Sequence, residues 1–287
     1  MKPAPFEYHR PASLAETFDL LDRYGDDGRL LAGGQSLVPA LNLRLAAPRA
    51  VIDINRVPDL DGIRVTPEGL VIGALARQEA LERSPLVREH APLIAAAVPH
   101  VGHAAIRARG TVGGSLALAD PAAELPACAV ALEATIRVGR RGGHRDVGAD
   151  DFFRGVYTTA LAPGEVVTEL RVPRPAPGWR WGFQELARRH GDFALAGLAA
   201  GARMEAGVLA ETRLVFFGVG TRPVRSRGAE AALAGRRAEE ATLAAAGRAL
   251  ETDLDPPGDV HGSPALRRHL ARVLLARVLR GLGEPRP

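Results

Sequence analysis

The stretch "RARGTVGGSLALADPAAELPA", residues 107–127, decides how the rest of the chain is read. Gly113 and Gly114 follow a Thr-Val pair, and the acids Asp120 and Glu124 stand four residues apart beside Pro121 and Pro126. Far upstream, "LLAGGQSLVP" at residues 30–39 carries a second glycine pair, Gly33 and Gly34. If both segments approach one ligand, they make a binding site assembled from distant parts of the chain. If they do not, they are two ordinary turns.

Glycine lets the backbone enter positive φ and lets a ligand come close where a Cβ would block it. Successive main-chain N–H groups in such a turn form a concave anion nest, and a helix starting near Ser36 would add its N-terminal donors. Ala32, Gly33, Gly34, Gln35, Ser36 and Leu37 thus form a candidate phosphate cradle. It is not a P-loop, since no Gly-Lys-Ser/Thr follows, and it lacks the third glycine of a dinucleotide fingerprint. In the second segment Thr111 and Ser115 flank Gly113 and Gly114 with hydroxyls. Asp120 and Glu124 would repel phosphate and suit ribose or ribityl hydroxyls. Each segment alone is also consistent with a ligand-free turn, the second with an N-cap at Asp120. Together, one cradle per phosphate plus acids for hydroxyls suits a dinucleotide held in an extended pose.

Composition narrows the class. At 287 residues with 46% hydrophobic, the chain can bury one large core or two ordinary ones without disulfides or metals. There is no run of about 18 apolar residues to span a membrane. The N-terminal "MKPAPFEYHRPASL" has no apolar signal region, so the cytoplasm is the expected compartment. The single cysteine, Cys128, excludes an internal disulfide and any four-cysteine iron–sulfur or zinc site. Its apolar setting "PACAVAL" points to a buried structural residue. The net charge is only +4, and the pI of about 9.9 reflects arginine, Lys2 being the only lysine. Scattered arginines and few aromatics do not describe a nucleic-acid surface. His100 and His103 have metal-ligand spacing but no second ligand pair.

Periodicity supplies the organisation. "SLAETFDLLDRYGDDG" reads as a helix with a Ser13–Glu16 capping box and a stop near Gly25. A strand, the glycine turn, a short helix and the strand "RAVIDINRV" follow. A hairpin turns at Pro67-Glu68-Gly69, residues 77–98 are helical with a break near Ser84-Pro85, and a second hairpin turns at Gly142-Gly143 before the strand "GEVVTELRVPRP". The Pro/Gly-rich "RPAPGW", residues 174–179, marks a domain boundary. Beyond it three antiparallel strands precede helices at Ser226–Leu233, Ala238–Leu250 and Ser263–Leu282, an α+β unit. The expected domains are 1–176, divided near residues 57 and 58, and 177–287.

"AGGQSLVPALNLRL" and "IRARGTVGGSLALADPAAELP" resemble the two FAD-binding signatures of the medium subunits of molybdenum hydroxylases, the group that includes aerobic carbon monoxide dehydrogenase and the xanthine dehydrogenase family. "DINRVPDLDGI", "VIGALARQEALERSPLV", "YTTALAPGEVVTELRVP", "RRHGDFALAGLAA" and "GVGTRPVRS" follow the same pattern in order, so the resemblance covers nearly the whole chain. It implies an α+β fold: a two-part FAD-binding domain of the PCMH type, then a smaller α+β domain with a three-stranded antiparallel sheet and C-terminal helices. It also implies FAD as cofactor, wrapped at its pyrophosphate by Ala32–Ser36 and Thr111–Ser115, with Asp120 and Glu124 facing hydroxyls. Asp192 and Phe193 match a position beside the isoalloxazine, with Leu195 next to it; Phe193 shields the flavin or is a core residue of a strand. His100 is a further candidate for the flavin edge. Ala108 and Leu118 replace an asparagine and a histidine that are frequent in the family. That loosens any assignment to one substrate subfamily.

The function implied is electron transfer within an oxidoreductase complex rather than self-sufficient catalysis. No catalytic acid–base residue and no metal site is expected in this chain. The implied partners are a small iron–sulfur subunit and a large molybdopterin subunit, in a dimer of heterotrimers. The alternatives are a cofactor-free interaction subunit of such a complex and a stand-alone FAD oxidase.

Overall fold

The computed structural model describes residues 2–283; Met1 and residues 284–287, the outer ends of the two sequence-drawn domains, lie outside the described residues. Near the N-terminus, Ser13 caps α1 (Leu14–Tyr24), its Oγ accepting the Glu16 N–H at 3.1 Å. The Glu16 carboxylate reaches back to the Ala12 N–H at 2.8 Å, one residue beyond an ideal capping box. Gly25, at φ 51°, ends the helix. α1 packs Phe18 against a parallel sheet of β1 (Glu7–His9), β2 (Gly28–Leu31) and β3 (Ala50–Asp53), in the order β1–β3–β2. All of β3 is buried, as its central place requires. β1 is an addition to the sequence reading, because "EYH" is exposed and carries no apolar alternation. α2 (Leu37–Asn42) leaves the first glycine pair.

The second unit begins with the hairpin β4 (Ile63–Thr66) and β5 (Gly69–Gly73). Prolines and caps then cut the chain into α3 (Gln78–Arg83), α4 (Pro85–His90) and α5 (Pro92–Ala97), with breaks before Pro85 and before Pro92. α6 (Ala104–Arg107), α7 (Val112–Leu118) and α8 (Glu124–Ala131) follow, so the decisive stretch is largely helical. β6 (Thr135–Arg140) and β7 (Gly143–Gly148) form the second hairpin, α9 (Ala149–Phe152) and a small ribbon of β8 (Phe153–Gly155) and β9 (Thr158–Thr159) come next, and β10 (Val166–Pro173) closes the unit. The antiparallel sheet runs β4–β5–β10–β6–β7. α8 lies inside the core below it, with Leu125 to Ala131 all buried.

After the Pro/Gly segment, β11 (Trp179–Leu186), β12 (Ala196–Glu205), β13 (Val208–Phe217) and β14 (Val224–Arg225) form one antiparallel sheet in chain order. Four strands replace the three expected, because the two-residue β14, paired to Val215 and Phe216, is too short to leave a period of its own. α10 (Arg227–Leu233), α11 (Glu240–Asp253) and α12 (Pro264–Gly283) follow. Both faces of this sheet are covered. Leu198, Ala200, Leu214 and Phe216 meet Leu274, Leu275 and Leu279 of α12. The alternate residues Ala199, Val215 and Phe217 join the core that contains Leu93 and Leu125 of the first domain. Strand alternation thus welds the two domains through one sheet.

Candidate functional site

The two glycine segments are in contact. A Cβ on Gly33 would lie 2.4 Å from the Arg109 carbonyl oxygen and 2.8 Å from Gly110 Cα, so the closest neighbour excusing a side chain there is the other segment's backbone. Gly34 sits at φ +75°, a conformation that suits glycine. Among the described residues, the amides of Gly34, Gln35, Ser36 and Leu37 donate to no protein acceptor. That leaves a run of N–H donors around a turn, the arrangement that binds an anion. Gln35 folds back, its Nε2 donating to Gly33 O at 3.1 Å. α2 is six residues long, so the donors are mainly those of the turn rather than of a helix dipole.

The second segment is built differently. Gly113 donates to Ala74 O at 2.7 Å, and a Cβ there would lie 2.5 Å from Ala74 Cβ. Gly114 donates to the Thr111 hydroxyl at 3.1 Å and Ser115 to Thr111 O at 3.1 Å, the ordinary start of a capped helix. These glycines therefore lay α7 against the end of β5. The Gly113, Gly114 and Ser115 amides are already engaged within the protein, so this cradle offers the Ser115 hydroxyl and close approach more than free backbone donors.

A polar brace, absent from the sequence-derived candidates, ties the segments together. Asn55 Nδ2 donates to Ala32 O at 2.8 Å and to Asp53 Oδ1 at 2.6 Å. Arg77 Nη2 donates to Asn55 Oδ1 at 2.6 Å, and Arg77 Nη1 to Arg109 O at 2.5 Å. One amide and one guanidinium thus hold the first glycine segment and the approach to the second at a set separation. Tyr8 donates to Asp53 Oδ2 at 2.5 Å; this bond and the two donors from Asn55 hold the Asp53 carboxyl below its usual range, although burial pushes the other way. Burial and the neighbouring Arg109 lower Arg77. Periodicity places Asp53 and Asn55 inside the strand "RAVIDINRV", but the strand ends at Asp53 and Ile54–Arg56 forms a tight helical turn that brings Asn55 into the brace.

Asp120 and Glu124 are not equivalent. Asp120 accepts from the Ala122 N–H at 2.8 Å and from the Tyr157 hydroxyl at 3.3 Å. It forms a local turn, and the cap of α8 is Ala123 rather than Asp120. Tyr157 is exposed and left-handed at φ 51°, and its own N–H donates to Ala119 O at 3.3 Å. Burial raises the Glu124 carboxyl to about 7, with the Asp120 charge adding to it. Glu185 on β11 is pushed up to about 8 by burial and by Glu124, and its Oε2 is buried without a partner. His100 Nδ1 lies 3.7 Å from Glu185 Oε1, and burial acts against an ion pair there, lowering the imidazole and raising the carboxyl. Cys128 is buried, as expected, and its thiol is raised by that burial.

The C-terminal segment closes on the same place. A Cβ on Gly191, at φ +84°, would lie 2.5 Å from the His103 ring, which places the 190–193 loop against the approach to the second glycine segment. Gly218 N–H donates to Pro121 O at 2.8 Å, joining the end of β13 to the acidic segment. Asp192 is exposed and Phe193 is 75% exposed, so Phe193 is not a core residue and its ring is free to cover a ligand. Leu195 is half-buried beside Gly262. No group of three or more metal-ligating side chains, and no helix long and apolar enough to cross a membrane, occurs among the described residues.

Free turn amides, close-packed glycines, two carboxyls and an open aromatic suit a protein that binds a dinucleotide. Residues 4–175 match the FAD binding domain in molybdopterin dehydrogenase, and residues 181–282 match the CO dehydrogenase flavoprotein C-terminal domain. The chain belongs to the family of FAD-binding medium subunits of molybdenum hydroxylases. It is 37% identical over 100% of its length to 98% of the 6-hydroxypseudooxynicotine dehydrogenase complex subunit alpha of Paenarthrobacter nicotinovorans. It is likewise 37% identical to the carbon monoxide dehydrogenase medium chain of Hydrogenophaga pseudoflava, covering 97% of each chain. A solved structure of carbon monoxide dehydrogenase from that organism superposes with a TM-score of 0.95 at 39% identity, over 98% of both chains. FAD is accordingly the cofactor of this family member, and the site described above fits its anionic pyrophosphate and its hydroxyls.

Proposed function

We propose that this chain is the electron-transfer subunit of a molybdenum hydroxylase, receiving electrons from iron–sulfur clusters of a small partner subunit and delivering them through FAD to an external acceptor. Substrate oxidation belongs to a large molybdopterin subunit, and two such heterotrimers pair in the cytoplasm. The observation that supports this reading is a chain of contacts between distant segments: the Gly33 turn abuts Arg109 and Gly110, the Gly191 loop abuts His103, and Gly218 donates to Pro121 O. When bound, FAD supplies a carrier that takes and returns one or two electrons. The chain's own residues do the holding. The turn amides of Gly34 to Leu37 bind the pyrophosphate, Ser115 adds a hydroxyl, Asp120 and Glu124 receive sugar or ribityl hydroxyls, and Asp192, Phe193 and Leu195 wall the flavin. One cysteine cannot ligate an iron–sulfur cluster, which assigns the clusters to a partner.

The test is a visible absorption spectrum of the complex purified from its host. Flavin bands released as FAD on denaturation, and lost on joint Gly34→Val and Gly114→Val substitution, are expected, with small and large subunits co-purifying. A colourless intact complex would leave only an interaction subunit. Reduction of the isolated flavinylated chain by substrate would favour a stand-alone oxidase instead.

A further inference from the structure

α12 buries an apolar stripe of Ala271, Leu274, Leu275 and Val278, yet the residue one turn before Ala271 on that stripe is Arg267, itself 5% exposed. A buried guanidinium is costly unless its donors are used. Arg267 Nη1 donates to Leu195 O at 2.8 Å and to Gly218 O at 2.9 Å, and Nη2 to Asp259 Oδ2 at 2.7 Å, while its buried Nε has no partner. Asp259 is itself fixed, its Oδ1 accepting the N–H groups of His261 and Gly262 at 2.8 and 2.9 Å.

The two carbonyls are informative. The β12–β13 ladder ends at the Gly197–Phe217 pair, so Leu195 and Gly218 lie just beyond it, where the strands would otherwise part. Arg267 bridges them in place of the ladder. Leu195 ends the loop that presents Asp192 and Phe193, and the same Gly218 donates its N–H to Pro121 O at 2.8 Å. One side chain therefore ties the C-terminal helix to the Phe193 loop and, through the Gly218 peptide, to the Asp120–Glu124 segment.

We propose that Arg267 is a positioning residue that sets the Asp192–Leu195 wall at a fixed distance from the acidic segment across the cofactor cleft. This rests on the function proposed above. A planar fork reaches two carbonyls and a carboxylate together, which a lysine ammonium cannot reproduce.

The experiment uses the full-length chain with Arg267→Lys, Asp259→Asn and, as a control on the same helix, Arg272→Lys, whose partner Glu251 is a surface residue. Hydrogen exchange is mapped without FAD; FAD affinity is then titrated by flavin fluorescence, and the visible circular dichroism of bound flavin is recorded. Arg267→Lys is expected to speed exchange about tenfold in residues 190–197 and 216–221 alone, and to weaken FAD binding about tenfold with an altered dichroic spectrum. Asp259→Asn should shift both readouts the same way by less, and Arg272→Lys neither. Exchange quickened evenly along α12 and its core would overturn the proposal, as would a loosened loop with unchanged FAD affinity and dichroism. Should Arg267→Lys not fold, the Asp259→Asn map and titration decide. A wild-type complex without FAD would instead sink the proposed function, and the exchange map would still decide whether Arg267 holds these segments.

Discussion

Gly33→Ala tests the contact between the two glycine segments most directly. The new Cβ would lie 2.4 Å from the Arg109 carbonyl oxygen and 2.8 Å from Gly110 Cα, where ordinary contact begins near 3.4 Å. Both neighbours are backbone, so neither can rotate away, and the segments must part by roughly 1 Å. Overpacking of this kind costs about 1–3 kcal/mol. The shift also pulls Arg109 O from Arg77 Nη1, now 2.5 Å away, and losing that charged hydrogen bond adds about 1–2 kcal/mol. The variant should therefore unfold in urea with roughly 2–5 kcal/mol less stability and bind FAD at least ~10-fold more weakly, since each tenfold is about 1.4 kcal/mol. Gly62→Ala is the matched control: nothing lies within 4 Å of its Cβ, and it should be neutral or slightly stabilising. If Gly33→Ala matched Gly62→Ala in both assays to within about 0.5 kcal/mol, the reasoning about contacting cradles would be wrong.

Other outcomes follow from the same geometry. In a double-mutant cycle, Asn55→Ala and Arg77→Ala should couple by about 1–2 kcal/mol in FAD affinity, and additive losses would dissolve the brace. Glu185 and Glu124 stay protonated up to about 8 and about 7 in the folded chain, against about 4.5 when unfolded. The folded state thus binds more protons across that window, so their contribution is fully present below pH 4.5 and is lost as pH rises to about 8. Glu185→Gln should consequently gain on the wild type by on the order of 3 kcal/mol between pH 5 and pH 9; urea midpoints that track each other at all pH values would contradict the shift. Phe193→Ala should leave the stability of the FAD-free chain within about 0.5 kcal/mol, because the ring is exposed, while raising the fluorescence of bound flavin. A large drop in thermal stability would instead make Phe193 a core residue.

Much of the architecture is written locally in the chain. Ser13 and Gly25 bound α1, Ser263 and Pro264 open α12, and Gly142-Gly143 turns a hairpin, because caps and turns depend on a few neighbouring residues. The paired glycine segments and the change of texture after residues 174–179 were legible for the same reason, whereas the sequence allows Phe193 to be either a flavin shield or a core residue, and only the fold exposes it. The decisive relationships were not. Asn55 joins Ala32 across 23 positions, Arg77 joins Arg109 across 32, and Arg267 joins Leu195 across 72. None of these leaves a period in the sequence, since a hydrogen bond between distant residues constrains only their types and not the spacing around them. The glycines show the division most clearly. That Gly33 and Gly113 offer close approach could be read from the sequence; that the Arg109 backbone and Ala74 fill the space beside them was decided only when the chain packed on itself.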